Sequence, residues 1–332
     1  MNLNSISNVL VILPDIIGLN VLSQPALKQI LNHHKCLNVD VIGFLKCSEI
    51  FNDENIENLV LIDRADVSDA VRKYIVDNGP FELAYDFLSS QETGKILKES
   101  GIPKRVGWNY PDNQFFNVPV LSPIHTRSTI YDYLDFLAAD GLPCSYEIPN
   151  LTVSEAAREA GRVWLAVRGI RSTKLIVMGT GGGNTKKRWP IVNFMNLKHA
   201  LTKRGFDTLF IVGPMELALR KGIHGIDKSS VIADSLPLNL LMGILSHATC
   251  VISNDYAVMH IAGALGIKTV GVFLSSDPNQ WFPYRDGSTF VIGEKLDCRP
   301  CYSEDCVDWK CNGSVLFDEV HNILASHLDH RV

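Results

Sequence analysis

The residues best suited to chemistry are Asn254, Asp255 and His260, which stand at a strand-to-helix junction. The apolar run 249–253 predicts a buried parallel strand, small residues at 257–265 predict a helix, and residues 269–273 predict a second strand. Open α/β folds bind ligands at such carboxyl strand ends, where free backbone N–H groups of the helix favour an anion such as a diphosphate. The plainer alternative is that Asp255 only caps the helix and His260 is an ordinary half-buried side chain.

A second candidate loop is rich in glycine and basic residues and runs from residue 179 to residue 190. It follows a predicted strand and precedes a helix that Pro190 is suited to start. Glycines such as Gly183 let a ligand approach the backbone, and Lys187 is able to reach a phosphate. The Gly-Lys-Ser/Thr order of nucleotide-triphosphatase loops is missing, so a solvent-facing loop is an equally simple interpretation.

The elements that position these loops alternate between strand and helix along the chain, which predicts an α/β protein. The alternation begins with the apolar run 9–13 and restarts with the run 174–178, after a linker candidate at 144–150. We therefore expect two doubly wound domains, residues 1–150 and 151–332. Residues 317–328 predict a last amphipathic helix. It belongs to the second domain by sequence, and the alternative is that it packs back on the first domain.

Composition narrows the classes of function. The chain has 332 residues, of which 46% are hydrophobic, and its net charge of −5 gives no overall attraction to nucleic acid. The N-terminal residues lack a basic segment, and the apolar run 9–13 is too short for a signal peptide or a membrane span. We expect a cytoplasmic protein with at most peripheral contact with the inner membrane.

Four stretches in the right order resemble the ADP-heptose:lipopolysaccharide heptosyltransferases of glycosyltransferase family 9. They are Gly18-x6-Pro25-Ala26-Leu27, Lys187-Arg188-Trp189-Pro190, Asn254-Asp255-x3-Met259-His260, and Ser276-Asp277-Pro278 with Trp281-x-Pro283-Tyr284. The resemblance spans nearly the whole chain. It implies a GT-B fold, two Rossmann-like domains facing each other across a cleft, with the acceptor bound mainly by the first domain and a nucleotide sugar mainly by the second.

The resemblance also implies a donor site for ADP-heptose or another nucleotide diphosphate sugar, without a metal or other cofactor. Lys187 would hold the diphosphate, Glu216 the ribose hydroxyls, and Leu236 would line the adenine pocket. The residues implied in nucleotide binding are Gly183, Lys187, Glu216, Leu236, Asp255, Tyr256, Ala257 and His260. Tyr256 and Ala257 replace the small hydroxyl residue and the glycine usual in the family. Without the resemblance, Glu216 would be read as an exposed carboxylate at a helix start.

The catalytic base is the main departure from the family pattern. The family places an aspartate directly after the first-loop glycine, but here Gly18 is followed by Leu19, which cannot accept a proton. Asp15 lies in the same loop and is the nearest carboxylate, so it is the candidate substitute, with Lys187 as the second catalytic residue. A solvated turn aspartate is the alternative interpretation of Asp15.

Two hypotheses for function follow from these residues. The first is an inverting glycosyltransferase that moves a heptose or a related sugar to an anionic glycan or glycolipid such as the lipopolysaccharide inner core, with Lys98, Lys104 and Arg105 helping to hold the acceptor. The second is a catalytically inactive relative that binds a nucleotide sugar or a partner protein. The reason for this hypothesis is that Leu19 stands where the family has its catalytic aspartate.

Eight cysteines fall into two groups. Four are scattered in apolar surroundings and read as reduced core residues: Cys36, Cys47, Cys144 and Cys250. The other four, Cys298, Cys301, Cys306 and Cys311, are spaced as in structural zinc or iron sites. Reduced thiols or a local disulfide are the alternatives to a metal, and catalysis should not depend on this cluster.

Overall fold

The structure is a computed structural model that describes residues 6–51, 56–110, 114–121, 126–214, 216–283, 285–301, 303 and 306–329. Tyr284 of the family motif lies outside the described residues. The chain divides into two compact units, Met1–Pro149 and Asn150–Val332. None of the helices in the described part is long and apolar enough to span a membrane.

The first unit is a parallel sheet of six strands with helices on its faces. Its order is β3-β2-β1-β4-β5-β6. Its elements are β1 (Asn8–Ile12), α1 (Ile17–His33), β2 (Asn38–Phe44), β3 (Asn58–Ile62), α2 (Val67–Asn78), β4 (Leu83–Asp86), α3 (Gln91–Glu99), β5 (Lys104–Trp108), β6 (Val118–Val120) and α4 (Thr129–Ala139). The pair α1 and α4 packs together, as does the pair α2 and α3.

The second unit repeats this arrangement in the order β12-β11-β10-β7-β8-β9. Its elements are α5 (Glu155–Val167), β7 (Leu175–Gly179), α6 (Ile191–Lys203), β8 (Asp207–Val212), α7 (Leu217–Ile226), β9 (Ile232–Asp234), α8 (Leu238–Leu245), β10 (Cys250–Asn254), α9 (Ala257–Ala264), β11 (Thr269–Phe273), α10 (Pro278–Trp281), β12 (Thr289–Ile292) and α11 (Phe317–Asp329). Because β7 to β12 follow the same path as β1 to β6, both units have the doubly wound order of a Rossmann domain.

The central strands are largely apolar and almost entirely buried because helices cover both faces of each sheet. Every residue of β7 and β10 is buried, and four of the five residues of β1 are buried. The last helix, α11, contributes Val320, Leu324 and Leu328 to the core of the second unit. The predicted α/β class is therefore confirmed.

Each sheet has one point at which the strand order reverses, between β1 and β4 in the first unit and between β7 and β10 in the second. Ligands of doubly wound folds bind outside the carboxyl ends of the strands at such a point. The loops that meet there follow β1 and β4 in one unit, and β7 and β10 in the other. They carry Asp15, the glycine-rich loop and Asp255.

Candidate functional site

The glycine-rich loop after β7 is held by the residue that ends β10. The buried Asn254 amide donates hydrogen bonds of 3.0 Å to the carbonyl oxygens of Thr180 and Gly181. Its side-chain oxygen accepts a bond of 3.0 Å from the backbone N–H of Trp189. Because one side chain fixes both ends of the loop, the loop is ordered before any ligand binds.

Lys187 and Asp255 meet at this switch point. The Lys187 ammonium lies 2.5 Å from Asp255 Oδ2; the side chain of Lys187 is 30% exposed, whereas that of Asp255 is 3% exposed. A buried carboxylate needs such a partner, because desolvation would otherwise disfavour its charge. The capping alternative for Asp255 is wrong, because Tyr256 occupies the N-cap position of α9 and no side chain caps that helix.

His260 lies one turn into α9 and is fully enclosed. Its Nε2 atom is 3.8 Å from Asp255 Oδ1, too far for a hydrogen bond, and its Nδ1 atom has no partner among the described residues. Burial lowers the pKa of His260 to about 4; the charge of Asp255 opposes this effect and Lys187 adds to it. The imidazole is therefore neutral at pH 7, and the half-buried alternative is wrong.

Trp281 of α10 closes the other side of the corner. The Lys187 ammonium lies 5.4 Å from the centre of its ring, and the His260 ring packs edge-on at 6.5 Å. An aromatic face stabilises an ammonium group by a cation–π interaction. Lys187 is thus held between a carboxylate and an aromatic ring, with part of its charge open to solvent.

The helix that starts beside this pair adds further positive potential. Ala257 is the first residue of α9, and the first-turn backbone N–H groups, with the helix dipole, attract an anion. Together with Lys187 they make a corner suited to a diphosphate.

Glu216 is buried and its carboxylate bonds to other groups of the protein. The alternative interpretation of Glu216 as an exposed carboxylate is therefore wrong. Its carboxylate accepts bonds from the backbone N–H groups of Gly182 (2.8 Å) and Gly213 (2.9 Å) and lies 3.1 Å from the Arg188 guanidinium. Arg188 in turn donates two bonds to the Gly182 carbonyl. Glu216 therefore ties the glycine-rich loop to the loop after β8.

Tyr256 fills the space between these two loops. A Cβ atom built on Gly213 would lie 2.6 Å from the Tyr256 hydroxyl, and one built on Gly181 would lie 2.9 Å from its ring. Burial raises the pKa of Tyr256, and the nearby charge of Glu216 raises it further. The Tyr256 ring and the Glu216 carboxylate thus both lie against Gly181 and Gly213.

Two predicted binding residues stand apart from this corner. Gly183 is exposed, and a Cβ atom built on it would meet nothing within 4 Å; the close approaches are at Gly181 and Gly213. Leu236 follows β9 and lines a separate cavity of about 430 Å³ with residues that include Trp164 and Arg168. Neither residue has a described contact with Lys187 or Asp255.

Several positioning residues had only weak signals in the sequence. The neighbours Lys186 and Lys187 diverge, since the buried Lys186 donates to the Ser303 carbonyl instead of facing the corner. Arg188 and Asn254 belong to the motifs, but their hydrogen bonds to the loop could not be read from sequence. A strand-terminal asparagine facing a glycine-rich loop is the one available hint, because amides pair well with free backbone groups.

In the first unit Asp15 is buried, so the solvated-turn alternative is wrong. It lies 2.6 Å from the Arg64 guanidinium, whose side chain is 67% exposed. The first-loop glycine, Gly18, is part of the first turn of α1 rather than of the loop, because that helix begins at Ile17. Leu19 is therefore a helical residue. Asp15 is the carboxylate of the loop that follows β1, whereas Asp86 lies beside Ile12 on the neighbouring strand β4.

The basic residues expected to hold the acceptor are otherwise engaged. Lys104 pairs with the Asp140 carboxylate, and Arg105 donates to the backbone carbonyls of Phe115 and Ile102. Both residues begin β5, at the amino edge of the sheet, opposite the edge that carries Asp15. Lys98 lies over the ring of Phe115. This set therefore does not gather at the switch point.

The clustered cysteines are near one another but form no disulfide, and all eight cysteines are free. Burial raises the pKa of Cys311, and the charges of Cys301, Cys306 and Cys298 raise it further. No group of three or more His, Cys, Asp or Glu side chains is arranged to hold a metal within the described ranges. Of the scattered cysteines, Cys47 and Cys250 are buried, whereas the expectation of a core position is wrong for the exposed Cys36 and Cys144.

Several solved glycosyltransferases have the same fold as this chain. The ADP-heptose lipopolysaccharide heptosyltransferase II of E. coli is 18% identical, with a TM-score of 0.75 over 97% of this chain and 98% of that chain. The E. coli heptosyltransferase WaaC with ADP is 13% identical, with a TM-score of 0.70 over 96% and 99%. The iron-containing dodecameric glycosyltransferase TibC of enterotoxigenic E. coli H10407 is 13% identical, with a TM-score of 0.64 over 97% and 76%. These similarities confirm the GT-B fold class.

The sequence matches a family as well as a fold. Comparison with curated protein sequences finds no match. The family model for glycosyltransferase family 9 (heptosyltransferase) matches residues 77–311, which include the glycine-rich loop, Lys187, Asp255 and the cysteine cluster. The match covers well over half of the chain and confirms the resemblance carried by the motifs. The chain therefore belongs to glycosyltransferase family 9, the heptosyltransferase family.

Proposed function

We propose that this protein is an inverting glycosyltransferase that transfers heptose, or a related sugar, from ADP-heptose or another nucleotide diphosphate sugar to a glycan such as the lipopolysaccharide inner core. The supporting observation is the corner at the switch point of the second unit, where Lys187 is held by the buried Asp255 beside the uncapped start of α9. This is the arrangement of charge that a leaving nucleoside diphosphate requires.

The reaction is a single displacement at the anomeric carbon of the donor. An acceptor hydroxyl oxygen bonds to that carbon from the face opposite the diphosphate, the bond from carbon to the phosphate oxygen breaks, and the electron pair leaves with the nucleoside diphosphate. The hydroxyl proton passes to a base, the role we propose for Asp15. Lys187 and the first N–H groups of α9 stabilise the negative charge that develops on the leaving oxygen.

The neutral His260 fits the same scheme as a positioning residue. It packs beside Asp255 and Trp281, the two groups that hold Lys187, and it adds no charge near pH 7. A second cation at this point would compete for Asp255. We propose that a neutral ring keeps the ion pair in one geometry.

A catalytically inactive relative is the second candidate, and two observations favour it. Leu19 cannot accept a proton, and Tyr256 lies against Gly181 and Gly213, beside the Glu216 carboxylate. A protein of this kind would bind a nucleotide sugar without turning it over. The two candidates differ in turnover and agree on the nucleotide corner.

The test is to incubate the protein with ADP-heptose and a heptose-free core acceptor, and to measure ADP release and acceptor mass. The proposal predicts transfer that depends on Lys187. We expect Lys187→Met to weaken ADP binding, measured by calorimetry, about 10- to 100-fold, because a charge-assisted contact to the diphosphate is lost. Stabilisation by ADP-heptose without transfer to several acceptors would favour the inactive relative.

Two controls separate binding from folding. Lys203→Met removes a lysine from the last turn of α6, away from the corner, and should leave ADP affinity unchanged. The double variant Lys187→Met with Asp255→Asn avoids an unpaired buried carboxylate, so a fold damaged by the single change should recover in a thermal melt. Unchanged ADP affinity in a folded Lys187 variant would remove Lys187 from the donor site.

A further inference from the structure

Four thiols lie close together in one loop of the second unit, the thiol loop, which carries Cys298, Cys301, Cys306 and Cys311. All four are free, and the described residues contain no group of His, Cys, Asp or Glu side chains arranged to hold a metal. The charges of the other three thiols act on Cys311, so the sulfur atoms are near one another. Neighbouring reduced thiols that hold no metal are available for oxidation.

Cys306 is the thiol of this loop that is best prepared to react. It is partly exposed, and its sulfur accepts hydrogen bonds from the backbone N–H groups of Trp309 and Asp308. These bonds lower the pKa of Cys306, and the charge of Lys186 lowers it further against a small opposing effect of burial. The thiolate is the nucleophile in disulfide exchange, so Cys306 reacts more readily near neutral pH than an ordinary thiol does.

Cys311 lies at the other end of the turn that begins at Cys306. The chain reverses between the two cysteines, because Trp309 has a left-handed backbone conformation (φ 43°) and Lys310–Gly313 forms a 3-10 turn. Burial raises the pKa of Cys311, and the charges of Cys301 and Cys306 raise it further. Cys311 is therefore suited to be the second thiol to react and Cys306 the first.

The thiol loop is bound to the glycine-rich loop that carries Lys187. The buried Lys186 donates a hydrogen bond to the Ser303 carbonyl. Lys186 and Lys187 belong to one short 3-10 helix, Thr185–Lys187, which packs against the turn at Lys310–Gly313. A displacement of the thiol loop is therefore transmitted directly to the backbone of Lys187.

A second link joins the thiol loop to the aromatic side of the same corner. The Cys301 N–H donates a bond of 2.8 Å to the carbonyl of Ser275, which lies two residues before Asp277. The side chain of Asp277 caps α10, and α10 carries Trp281, the ring that faces the Lys187 ammonium. The thiol loop thus supports both Lys187 and the ring that stabilises its charge.

We propose that Cys306 and Cys311 form a reversible disulfide, and that its formation weakens nucleotide binding at Lys187. The proposal concerns regulation of the donor site and therefore rests on the proposed function. Closing the bond brings together two sulfur atoms that are not bonded in the reduced protein, so the turn between them must move. Lys186 and Ser275 carry this movement to the corner. The reduced protein is the form that binds nucleotide, and binding itself requires neither thiol.

The oxidant is a low-molecular-weight disulfide such as oxidised glutathione. The Cys306 thiolate attacks one sulfur of the reagent, the S–S bond of the reagent breaks, and one thiolate leaves. Cys311 then loses its proton and attacks the Cys306 sulfur of this mixed disulfide, and the second thiolate leaves. Two protein thiols are thereby oxidised to one disulfide, the reagent is reduced to two thiols, and the two protons pass to those thiols.

Peptide mapping tests the disulfide. The full-length protein is treated with oxidised glutathione, its remaining thiols are alkylated, and trypsin then cuts between Lys310 and Cys311. We expect the two flanking peptides to be joined, with fragment sequencing placing the bond at Cys306, and to separate on reduction. Absence of this bond would overturn the proposal.

The rate of alkylation tests whether Cys306 is the activated thiol. It should react at least about threefold faster than Cys144, an exposed thiol whose pKa is raised by partial burial. Equal rates would contradict the proposal. Loop thiols that react only after a chelator removes a metal would also overturn it.

Calorimetry with ADP tests the link to the corner. We expect the oxidised protein to bind ADP about tenfold more weakly than the reduced protein, and dithiothreitol to restore the affinity. Cys306→Ser should bind ADP as the reduced wild type does and keep that affinity after treatment with oxidised glutathione. The matched control Cys144→Ser should lose affinity on oxidation as the wild type does.

This proposal and the proposed function fail in different ways. If ADP binds equally well to the reduced protein and to protein with the mapped disulfide, only the regulatory proposal is wrong. If ADP does not bind the reduced protein, both are wrong. The comparison of oxidised with reduced wild type needs no variant, so it decides the matter even if a thermal melt shows Cys306→Ser to be unfolded.

Discussion

The two units share one frame but differ at the strand that crosses the switch point. In the first unit β4 ends at Asp86, which is fully buried and has one oxygen without a partner in the described structure. In the second unit the equivalent strand, β10, is followed by Asp255, which is equally buried but bound to Lys187. Near the carboxyl end of this strand, one unit therefore carries a buried carboxylate without an ion-pair partner among the described residues, and the other carries a buried carboxylate that is ion-paired.

This difference shows how a repeated fold acquires two kinds of site. Strand order and helix packing fix where loops meet, and they do so in the same way in both units. The side chains on those loops then decide which ligand is attracted: a cation and an uncapped helix start at one edge, carboxylates and hydroxyls at the other. The function of such a protein is therefore determined by the side chains on the loops at the carboxyl edges of its sheets, and not by the sheets themselves.

The largest effect on this difference between the units should come from removing Asp15, the proposed base at the carboxyl edge of the first sheet. Asp15→Asn keeps the size of the side chain but cannot take up a proton, so we expect kcat to fall about 10²- to 10⁴-fold. Donor affinity, measured by calorimetry with ADP, should stay close to wild type because Asp15 belongs to the other unit. Equal turnover in the variant would remove Asp15 as the base.

A control for the Asp15 variant concerns its partner. Arg64→Gln removes the guanidinium that neutralises Asp15 but leaves the carboxylate in place. If Asp15 acts as a base, the Arg64→Gln variant should retain most of its turnover, whereas Asp15→Asn should lose it by the factor given above. Loss of activity in both variants together with lowered thermal stability would indicate a structural pair instead.

The next largest effect should come from Asp86. Burial raises the pKa of Asp86 to about 6, although hydrogen bonds from Thr93 and from the backbone of Ser89 lower it in part. Between about pH 4 and pH 6 the folded protein keeps a proton that the unfolded chain has lost. The free energy of unfolding therefore decreases as pH rises through this window, by at most about 3 kcal/mol, and Asp86 adds no further change above it.

Thermal melts between pH 4.5 and pH 7.5 check this sign. Asp86→Asn keeps the acceptor oxygen that Ser89 uses but cannot ionise, so the variant should gain stability relative to wild type as pH rises through the window. The exposed Asp77→Asn serves as a control and should show no such trend. A difference that stays constant with pH would show that Asp86 is not protonated in this range.

Much of the fold was predictable because buried parallel strands are continuous apolar runs. The runs at β1, β7 and β10 predicted both the α/β class and the loops of the second-unit site. The strands that escaped prediction, β6, β9 and β12, are three or four residues long and lie at sheet edges. Such strands are only partly buried, so their sequences carry little hydrophobic pattern.

The sequence predicted which residues form the site in the second unit, but not which hydrogen bonds and ion pairs they make. The motifs placed Lys187, Asp255 and His260 together, and the structure brings them into one corner. The sequence could not show that adjacent lysines diverge or that Glu216 is occupied by backbone N–H groups. Those facts depend on side-chain directions within one loop, which residue spacing does not determine.

The smallest expected effect is on ADP affinity and comes from Tyr256 in the second unit. The Tyr256 ring lies against Gly181 and Gly213, as the Glu216 carboxylate does. If Glu216 binds the ribose, as the family resemblance implies, the ring competes with the nucleotide for this space. A binding-competent state that is only partly populated weakens apparent affinity by its population. We expect Tyr256→Thr to strengthen ADP binding about tenfold in calorimetry. Tyr256→Phe keeps the ring and should change affinity little, whereas weaker binding by Tyr256→Thr would mean that the ring contacts the bound nucleotide.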